Sequence, residues 1–152
     1  MGYVEDLRRL VGTRPLIFPG TVIIILNDSN EVLLQQRKQP RGSWAIPGGL
    51  MELGETTEET AKREILEETN LRIENLNLLN VYSGKENFIK APNGDEFYVV
   101  VIAYYTKHIS GEMIINREES QDFKFFPLDE IPENLAKSHK TIINEFISKF
   151  SN

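Results

Sequence analysis

Apolar and polar residues follow two different periods along this chain, and the changes between them predict the order of its elements. Helical spacing and capping residues predict three helices: over residues 3–11, from Thr56 or Thr57 to about Thr69, and from Ser138 onward. Runs rich in β-branched and aromatic residues predict strands over residues 21–26, 32–36, 44–46, 76–83, 88–90, 96–106 and 123–126. Strands mixed with two substantial helices indicate an α+β domain, layered as α/β/α.

The connections and the last helix add detail to this order. The polar cluster at residues 27–30 predicts a hairpin turn that joins the first two strands, and residues 92–95 predict a turn before the longest strand. Pro47-Gly48-Gly49 predicts a sharply turning backbone ahead of the middle helix. In the last helix a buried stripe is predicted, formed by Ile142, Ile143, Phe146, Ile147 and Phe150.

Size and composition place limits on the kind of protein. A chain of 152 residues, 40% hydrophobic and 26% charged, indicates one folded domain over residues 1–152, with residues 1–15 as an N-terminal helical extension. A net charge of −6 disfavours binding to nucleic-acid backbones and anionic membranes. Charges interrupt the first residues where a signal peptide needs an apolar core, and no apolar run reaches membrane-spanning length, so the expected location is cytoplasmic.

The residues available for metal binding are mostly carboxylates. The sequence has no cysteine, and its two histidines, His108 and His139, lie far apart and are expected at the surface. A zinc site is therefore disfavoured, and an all-oxygen site is the reasonable expectation.

Three carboxylates of the middle helix form the main functional signal. Glu64, Glu67 and Glu68 fall within roughly 100° of arc on one helix face. Like charges at this spacing repel one another, and a hard divalent cation such as Mg²⁺ or Mn²⁺ would offset the repulsion. The alternative is an ordinary charged, solvent-exposed helix face. The Pro-Gly-Gly turn upstream and the fixed spacing favour the metal site.

This segment resembles the box of the Nudix hydrolases. The matching residues are Gly49, Glu55, Arg63, Glu64, Ile65, Glu67, Glu68 and Leu71. One position departs from the pattern, because Asn70 stands where the family has its final glycine. Asparagine is the next-best residue for a left-handed helix end, so the turn is expected to survive. Residues 44–49 and 125–132 are also similar to family segments, so the resemblance runs from about Ile17 onward.

The resemblance implies a Nudix-type α/β/α sandwich with a mixed β-sheet between helices. From the chemistry of phosphate-bound metals, Glu67 and Glu68 are the predicted direct ligands, while Glu64 is either a ligand or the base that takes a proton from water. The resemblance also implies a ligand role for the backbone carbonyl of Gly48.

Two further parts of the site are predicted. Arg63 and Glu55 are expected to pair and hold the loop onto the helix. In this family a carboxylate from a later loop often joins the metal. Glu119 is the first candidate and Glu118 the second, although both also fit an ordinary acidic surface loop.

Substrate contacts are less well defined by the sequence. Arg37 and Arg41 precede the box and are candidates for phosphate contacts, but they equally fit solvated loop charges. Trp44 is a candidate for stacking on a base, against the common alternative of a core aromatic.

The predicted function is hydrolysis of a nucleoside diphosphate linked to a group X, by water attack at phosphorus, with Mg²⁺ or Mn²⁺ as cofactor. The substrate would be a small nucleotide, for example a nucleoside triphosphate (an oxidised purine among them) or a nucleotide sugar. The alternative is a catalytically silent nucleotide-binding sensor of the same fold, which the complete carboxylate set disfavours. RNA decapping is disfavoured because the chain has no basic tract. A homodimer is compatible with the N-terminal extension.

Overall fold

Ten strands and three α-helices make up most of residues 2–150, the part of the chain that the computed structural model describes. The helices are α1 (Tyr3–Val11), α2 (Thr57–Thr69) and α3 (Lys137–Phe150). The first strands are β1 (Leu16–Ile25), β2 (Glu31–Arg37), β3 (Trp44–Ala45), β4 (Gly48–Leu50) and β5 (Arg72–Glu74). The later strands are β6 (Asn77–Tyr82), β7 (Phe88–Lys90), β8 (Glu96–Thr106), β9 (His108–Ser110) and β10 (Ser120–Pro127).

The strands form two main sheets and one short ribbon. The first sheet has five strands in the order β4-β1-β8-β6, with β7 also paired to β8. Its centre is the parallel pair β1–β8, which is in register from Leu16–Phe97 to Ile25–Thr106, whereas its other pairs are antiparallel. The second sheet is β10-β2-β3, and β5 pairs with β9. The predicted α+β fold with a mixed sheet is confirmed.

Successive side chains of β1 point to opposite faces of the sheet and build two cores. Ile23 and Ile25 join the core beneath α2, with Ala61 and Ile65 of that helix. Val22 and Ile24 join the core beneath α3, together with Ile142, Ile143 and Phe146. Because β1 is buried on both faces, it reads as a continuous apolar run instead of an alternating one.

The turn predicted at residues 27–30 is present, with the Asn30 N–H donating to the Asn27 carbonyl at 3.0 Å, but the hairpin predicted around it is wrong. Only an isolated bridge, Leu26–Val32, joins β1 and β2 directly. Beyond it the two strands separate into different sheets, because β1 gains a ten-residue parallel partner in β8 while β2 pairs with β10 and β3.

Smaller differences concern local elements. Gly48 and Gly49 belong to strand β4, which pairs with β1, so the backbone there is extended and does not turn sharply. Ser138 is the second residue of α3 and not its cap. Strands β5 and β9, of three residues each, are too short to show a period in the sequence.

Helix α1 is fastened to the rest of the fold by Arg8. The guanidinium donates to the carbonyl of Glu96 at 2.7 Å, lies 3.6 Å from the Asp95 carboxylate and stands over the ring of Phe18. These contacts place the N-terminal segment against the face of β1 that carries Phe18. Within residues 2–150 the structure has no helix that is both long and apolar enough to cross a membrane.

Candidate active site

Helix α2 has well-defined ends that fix where its carboxylates lie. Thr56 and Glu59 form a capping box, in which each side chain accepts a hydrogen bond from the other residue's backbone N–H at 3.0 Å. At the other end Asn70 adopts the left-handed conformation with φ 64°, as predicted. The Asn70 side chain also donates to the carbonyl of Glu112, so it ties the helix end to the loop that follows β9.

Arg63 and Glu55 form the predicted pair between the loop and the helix. Arg63 Nε donates to Glu55 Oε2 at 2.6 Å, and Arg63 Nη2 donates to Glu55 Oε1 at 3.0 Å and to the carbonyl of Leu50 at 3.1 Å. The pKa of Glu55 is lowered to about 2, chiefly by the hydrogen bond from Arg63; burial opposes this shift, and bonds from the Glu52 N–H and the Thr60 hydroxyl contribute to it. A two-pronged ion pair of this kind fixes the loop more rigidly than a single contact would.

Gly48 and Gly49 are needed because other atoms approach their Cα atoms closely. A Cβ atom on Gly49 would collide with the carboxylate of Glu64, and one on Gly48 would collide with the backbone carbonyl of Thr21. The Glu64 carboxylate therefore lies directly over β4. Its other contact is a hydrogen bond of 2.7 Å from Arg63 Nη1.

Glu68 is a buried carboxylate with an unsatisfied oxygen. Its residue is 5% exposed, and Oε2 has no hydrogen-bond partner among residues 2–150. Burial, together with the negative charges of Glu64, Glu119 and Glu67, raises the pKa of Glu68 to about 8. Burial is also the main cause that raises the pKa of Glu64, opposed by Arg63. A buried, unpaired carboxylate among other carboxylates is unfavourable unless a cation is present.

The loop after β9 brings Glu119 towards this cluster. The N–H groups of Ile114 and Asn116 donate to the carbonyls of Thr69 and Glu68, so the loop runs along the end of α2. The negative charge of Glu119 acts on both Glu64 and Glu68. Glu118 is not among the groups that shift those pKa values, and its backbone carbonyl accepts a hydrogen bond from Lys38.

A divalent cation fits this donor set, although the side chains are not arranged as a finished metal site. Within residues 2–150 no three acidic or histidine side chains converge at coordinating distance. Arg63 lies 2.7 Å from a Glu64 oxygen and 3.4 Å from a Glu67 oxygen, so its guanidinium occupies part of both carboxylates. The unpartnered oxygen of Glu68 and the surrounding negative charge nevertheless provide the hard oxygen ligands that Mg²⁺ and Mn²⁺ prefer.

A cavity of about 200 Å³ opens on the side of the sheet next to these carboxylates. Gly48 and Gly49 form part of its wall, so the backbone of β4 separates the cavity from Glu64. Most of the remaining wall is apolar, contributed by Ile46, Leu50, Ile89, Phe97, Val99 and Val101. An apolar cavity with a few polar groups beside a charged cluster is the usual form of a small-molecule site.

The structure separates the three residues predicted to contact substrate. Arg37 lies in the cavity wall, where burial lowers its pKa, and its side chain forms no ion pair within residues 2–150. Arg41 is exposed on the loop between β2 and β3 and does not line the cavity. Trp44 packs edge-on against Phe126 with ring centroids 4.8 Å apart, which matches its alternative interpretation as a core aromatic.

The prediction that His139 lies at the surface is wrong. It is buried in the cavity wall beside Ser138, and its Nδ1 accepts a hydrogen bond of 2.9 Å from the N–H of Ile46. Burial, helped by the charge of Arg37, lowers the pKa of His139 to about 3. The neutral ring therefore carries its proton on Nε2. Its sequence position gives the missed signal, since residues 139, 142, 143 and 146 share the helical spacing of the buried stripe.

Comparisons with known proteins agree with this geometry. A model of the NUDIX domain matches residues 17–146. The chain is 36% identical to the ADP-ribose pyrophosphatase of Methanocaldococcus jannaschii, in an alignment that covers 94% of this chain and 80% of that protein.

Solved structures give the same result. The MutT NUDIX hydrolase from Burkholderia pseudomallei superposes with a TM-score of 0.71 at 27% identity, covering 87% of this chain and 98% of the other. The MutT protein from Bacillus halodurans superposes with a TM-score of 0.68 at 30% identity, covering 84% and 80%. With the Arg63–Glu55 pair and the carboxylates of α2, these likenesses establish that the chain belongs to the Nudix hydrolases and is a Nudix-type pyrophosphohydrolase.

Proposed function

We propose that this protein is a metal-dependent hydrolase that cleaves the diphosphate linkage of a nucleoside diphosphate joined to a group X. The observation that supports the proposal most directly is the Glu68 carboxylate, buried with one oxygen unpartnered and set among Glu64, Glu67 and Glu119. Such a group is costly in the metal-free protein, and a bound divalent cation removes the cost.

The carboxylates have separate roles in this proposal. Glu67 and Glu68 hold Mg²⁺, or Mn²⁺ in its place, with Glu119 and the Gly48 carbonyl as further ligands. When bound, the cation neutralises phosphate oxygens and lowers the pKa of the attacking water. Glu64 either joins the ligand set or accepts the proton that the water releases as it attacks phosphorus.

Arg63 and Glu55 act as positioning residues in the proposal. Their two hydrogen bonds hold the loop over the start of α2, and the third donor of Arg63 reaches Glu64. This geometry presents the Glu64 carboxylate over β4, at the boundary between the charged cluster and the cavity.

The cavity supplies a place for the nucleoside. Its apolar wall suits the flat face of a base, and Arg37 and the Nε2–H of His139 are hydrogen-bond donors for acceptor atoms of the ligand. The water-attack products would be a nucleoside monophosphate and phosphorylated X, or pyrophosphate when X is a further phosphate.

A substrate panel with product identification tests the proposal. ADP-ribose comes first, since it is the substrate class in the name of the relative from M. jannaschii. Oxidised and normal purine triphosphates and nucleotide sugars complete the panel. We expect turnover of at least one compound with Mg²⁺, loss of turnover on chelation, and a loss of at least ~10²-fold in kcat for Glu67→Gln and Glu68→Gln.

Glu118→Gln is the matched control, because Glu118 lies beside Glu119 in the same loop but does not shift the pKa values of the cluster. It should keep wild-type activity. The proposal fails if no compound is turned over, or if both carboxylate variants keep full activity. Calorimetric binding of a nucleotide without any product would support the sensor function instead.

A further inference from the structure

The face of the first sheet that carries α2 is only partly covered by that helix. Beyond the N-terminus of α2, where Thr57 hydrogen-bonds to the hydroxyl of Tyr104, the strands continue with outward-facing apolar side chains. This part of the sheet keeps several large apolar side chains exposed, and we call it the open face. It is formed by Ile17, Leu78, Val81, Phe88 and Tyr98.

Strand register shows that these side chains share one side of the sheet. Ile17 and Phe88 both pair with Tyr98, from opposite sides of β8. Val81 and Leu78 of β6 pair with Ile102 and Tyr104. Ile102 and Tyr104 are separated from Tyr98 by even numbers of residues along β8, so their side chains point to the same side of the sheet. The rings of Phe88 and Tyr98 are in contact, with centroids 5.0 Å apart.

The open face exposes more apolar surface than scattered surface residues would. Exposure runs from 37% for Tyr98 to 71% for Ile17. Together the five side chains leave roughly 500 Å² uncovered, which is the size of the largest apolar patch on a typical monomer, and such a patch commonly marks an interaction site.

Charge on the open face is confined to one end and is balanced. Lys90 and Glu96 are cross-strand neighbours where β7 and β8 meet, and the face positions of β8 beyond Glu96 are apolar up to Tyr104. An apolar centre that lacks charges, with charged groups at its edge, is compatible with the usual composition of a protein–protein interface.

We propose that the open face is the interface of a homodimer in which two sheets pack face to face about a two-fold axis. The area is sufficient for a second copy. Two open faces packed together would bury about 1,000 Å² in total, which is the lower limit for a specific interface. A second copy also suits it in charge. The two-fold axis makes each contact twice, so Lys90 of each copy can approach Glu96 of the other despite the net negative charge of both chains. Sheets stacked about 10 Å apart are a standard way to bury such faces.

Analytical ultracentrifugation of the full chain over a wide concentration range tests the proposal. We expect a reversible dimer. Ile17→Glu and Val81→Glu each place a carboxylate in the buried centre and should raise the dissociation constant at least ~100-fold. Leu10→Glu is the control, because Leu10 is 84% exposed on α1, which packs against the Phe18 face of the sheet and not the open face. It should remain a dimer.

A second measurement does not depend on a disruptive substitution. The chain has no cysteine, so Val81→Cys and Leu10→Cys each provide one site for a spin label. In a dimer through the open face, the label at residue 81 should give a shorter intermolecular distance than the label at residue 10. The proposal is overturned if the wild type is monomeric at all concentrations. It is also overturned if the dimer survives both Ile17→Glu and Val81→Glu with unchanged affinity, or if residue 10 gives the shorter distance.

Discussion

The carboxylate of Glu64 lies in the space that a Cβ atom on Gly49 would fill. The neighbouring glycine differs, because a Cβ atom on Gly48 would meet the backbone carbonyl of Thr21. A side-chain end can move aside at small cost, whereas a strand backbone cannot. The two glycines of one short strand are thus required for different reasons, one for the position of a carboxylate and one for the packing of the sheet.

Gly49→Ala should separate activity from stability. The new methyl group displaces the Glu64 carboxylate, so we expect a fall of ~10–100-fold in kcat, since a shift of about 1 Å in a reacting group has effects of that order. Stability should change little because only the end of a flexible side chain moves. Steady-state kinetics and urea unfolding on the same preparation measure both quantities.

Gly48→Ala should mainly reduce stability, in contrast to Gly49→Ala, which should mainly reduce activity. The methyl group meets the Thr21 carbonyl in the strand pair β4–β1, and we expect the free energy of unfolding to fall by about 1–3 kcal/mol. Urea unfolding compares it with Gly49→Ala. A larger loss of stability in Gly49→Ala than in Gly48→Ala would contradict the assignment of the two roles.

Glu68→Gln should make the metal-free protein more stable while removing its activity. The pKa of Glu68 is raised from 4.5 to about 8, so the folded protein holds this proton more tightly than the unfolded chain. Stability of the metal-free wild type should therefore fall as the pH rises between those two values, and the variant should lack that fall. At pH 8 with a chelator, we expect the variant to be more stable by about 1–3 kcal/mol. Thermal unfolding across pH measures this, and an unaltered pH dependence would show that Glu68 is not the buried acid.

His139 should make the protein less stable in acid. Its pKa is lowered from 6.5 to about 3. Between these two pH values, His139 is therefore protonated in the unfolded chain but neutral in the folded protein. The free energy of unfolding should fall by up to ~1.4 kcal/mol per pH unit as the pH drops through this window. His139→Asn keeps an acceptor for the Ile46 N–H but does not titrate, so its curve should be flatter. A curve of unchanged slope in His139→Asn would show that this buried ring is not the source of the acid sensitivity.

Two adjacent arginines of α1, Arg8 and Arg9, should contribute differently to the stability of the fold. The Arg8 side chain is 10% exposed and reaches the Glu96 carbonyl and Asp95, whereas the Arg9 side chain is 60% exposed and pairs with Asp6 of the same helix. We expect Arg8→Ala to cost about 2 kcal/mol and Arg9→Ala less than about 0.5 kcal/mol. Hydrogen exchange of residues 3–11 should rise in the first variant alone, and equal protection in both would rule out Arg8 as the anchor.

Local signals in the sequence predict much of this fold and of the charged part of the site. The capping residues of α2, the left-handed end at Asn70 and the Arg63–Glu55 pair all depend on neighbours within one loop and one helix. The path of β2 into a second sheet is not predictable in this way, because it depends on β8 and β10, which lie far along the chain.

The cavity shows the same limit. Arg37 and His139 come from segments about a hundred residues apart in a chain of 152 residues, and only the pairing of the sheets brings them together. For His139 the helical spacing with Ile142, Ile143 and Phe146 predicts burial, yet no local pattern predicts that its Nδ1 meets the N–H of Ile46. The polar residues that line the cavity are thus the ones that depend most on distant contacts.

The long parallel pair at the centre of the fold also has a consequence for synthesis of the chain. Strand β1 is made early, but its main partner β8 is made only after α2 and the strands between them. The chain between β1 and β8 must lose conformational entropy before the hydrogen bonds of this strand pair can form, and this slows folding. On the ribosome, Ile23, Ile24 and Ile25 therefore stay without their final neighbours in β8 until most of the chain has emerged, and apolar segments exposed in this way are prone to aggregation.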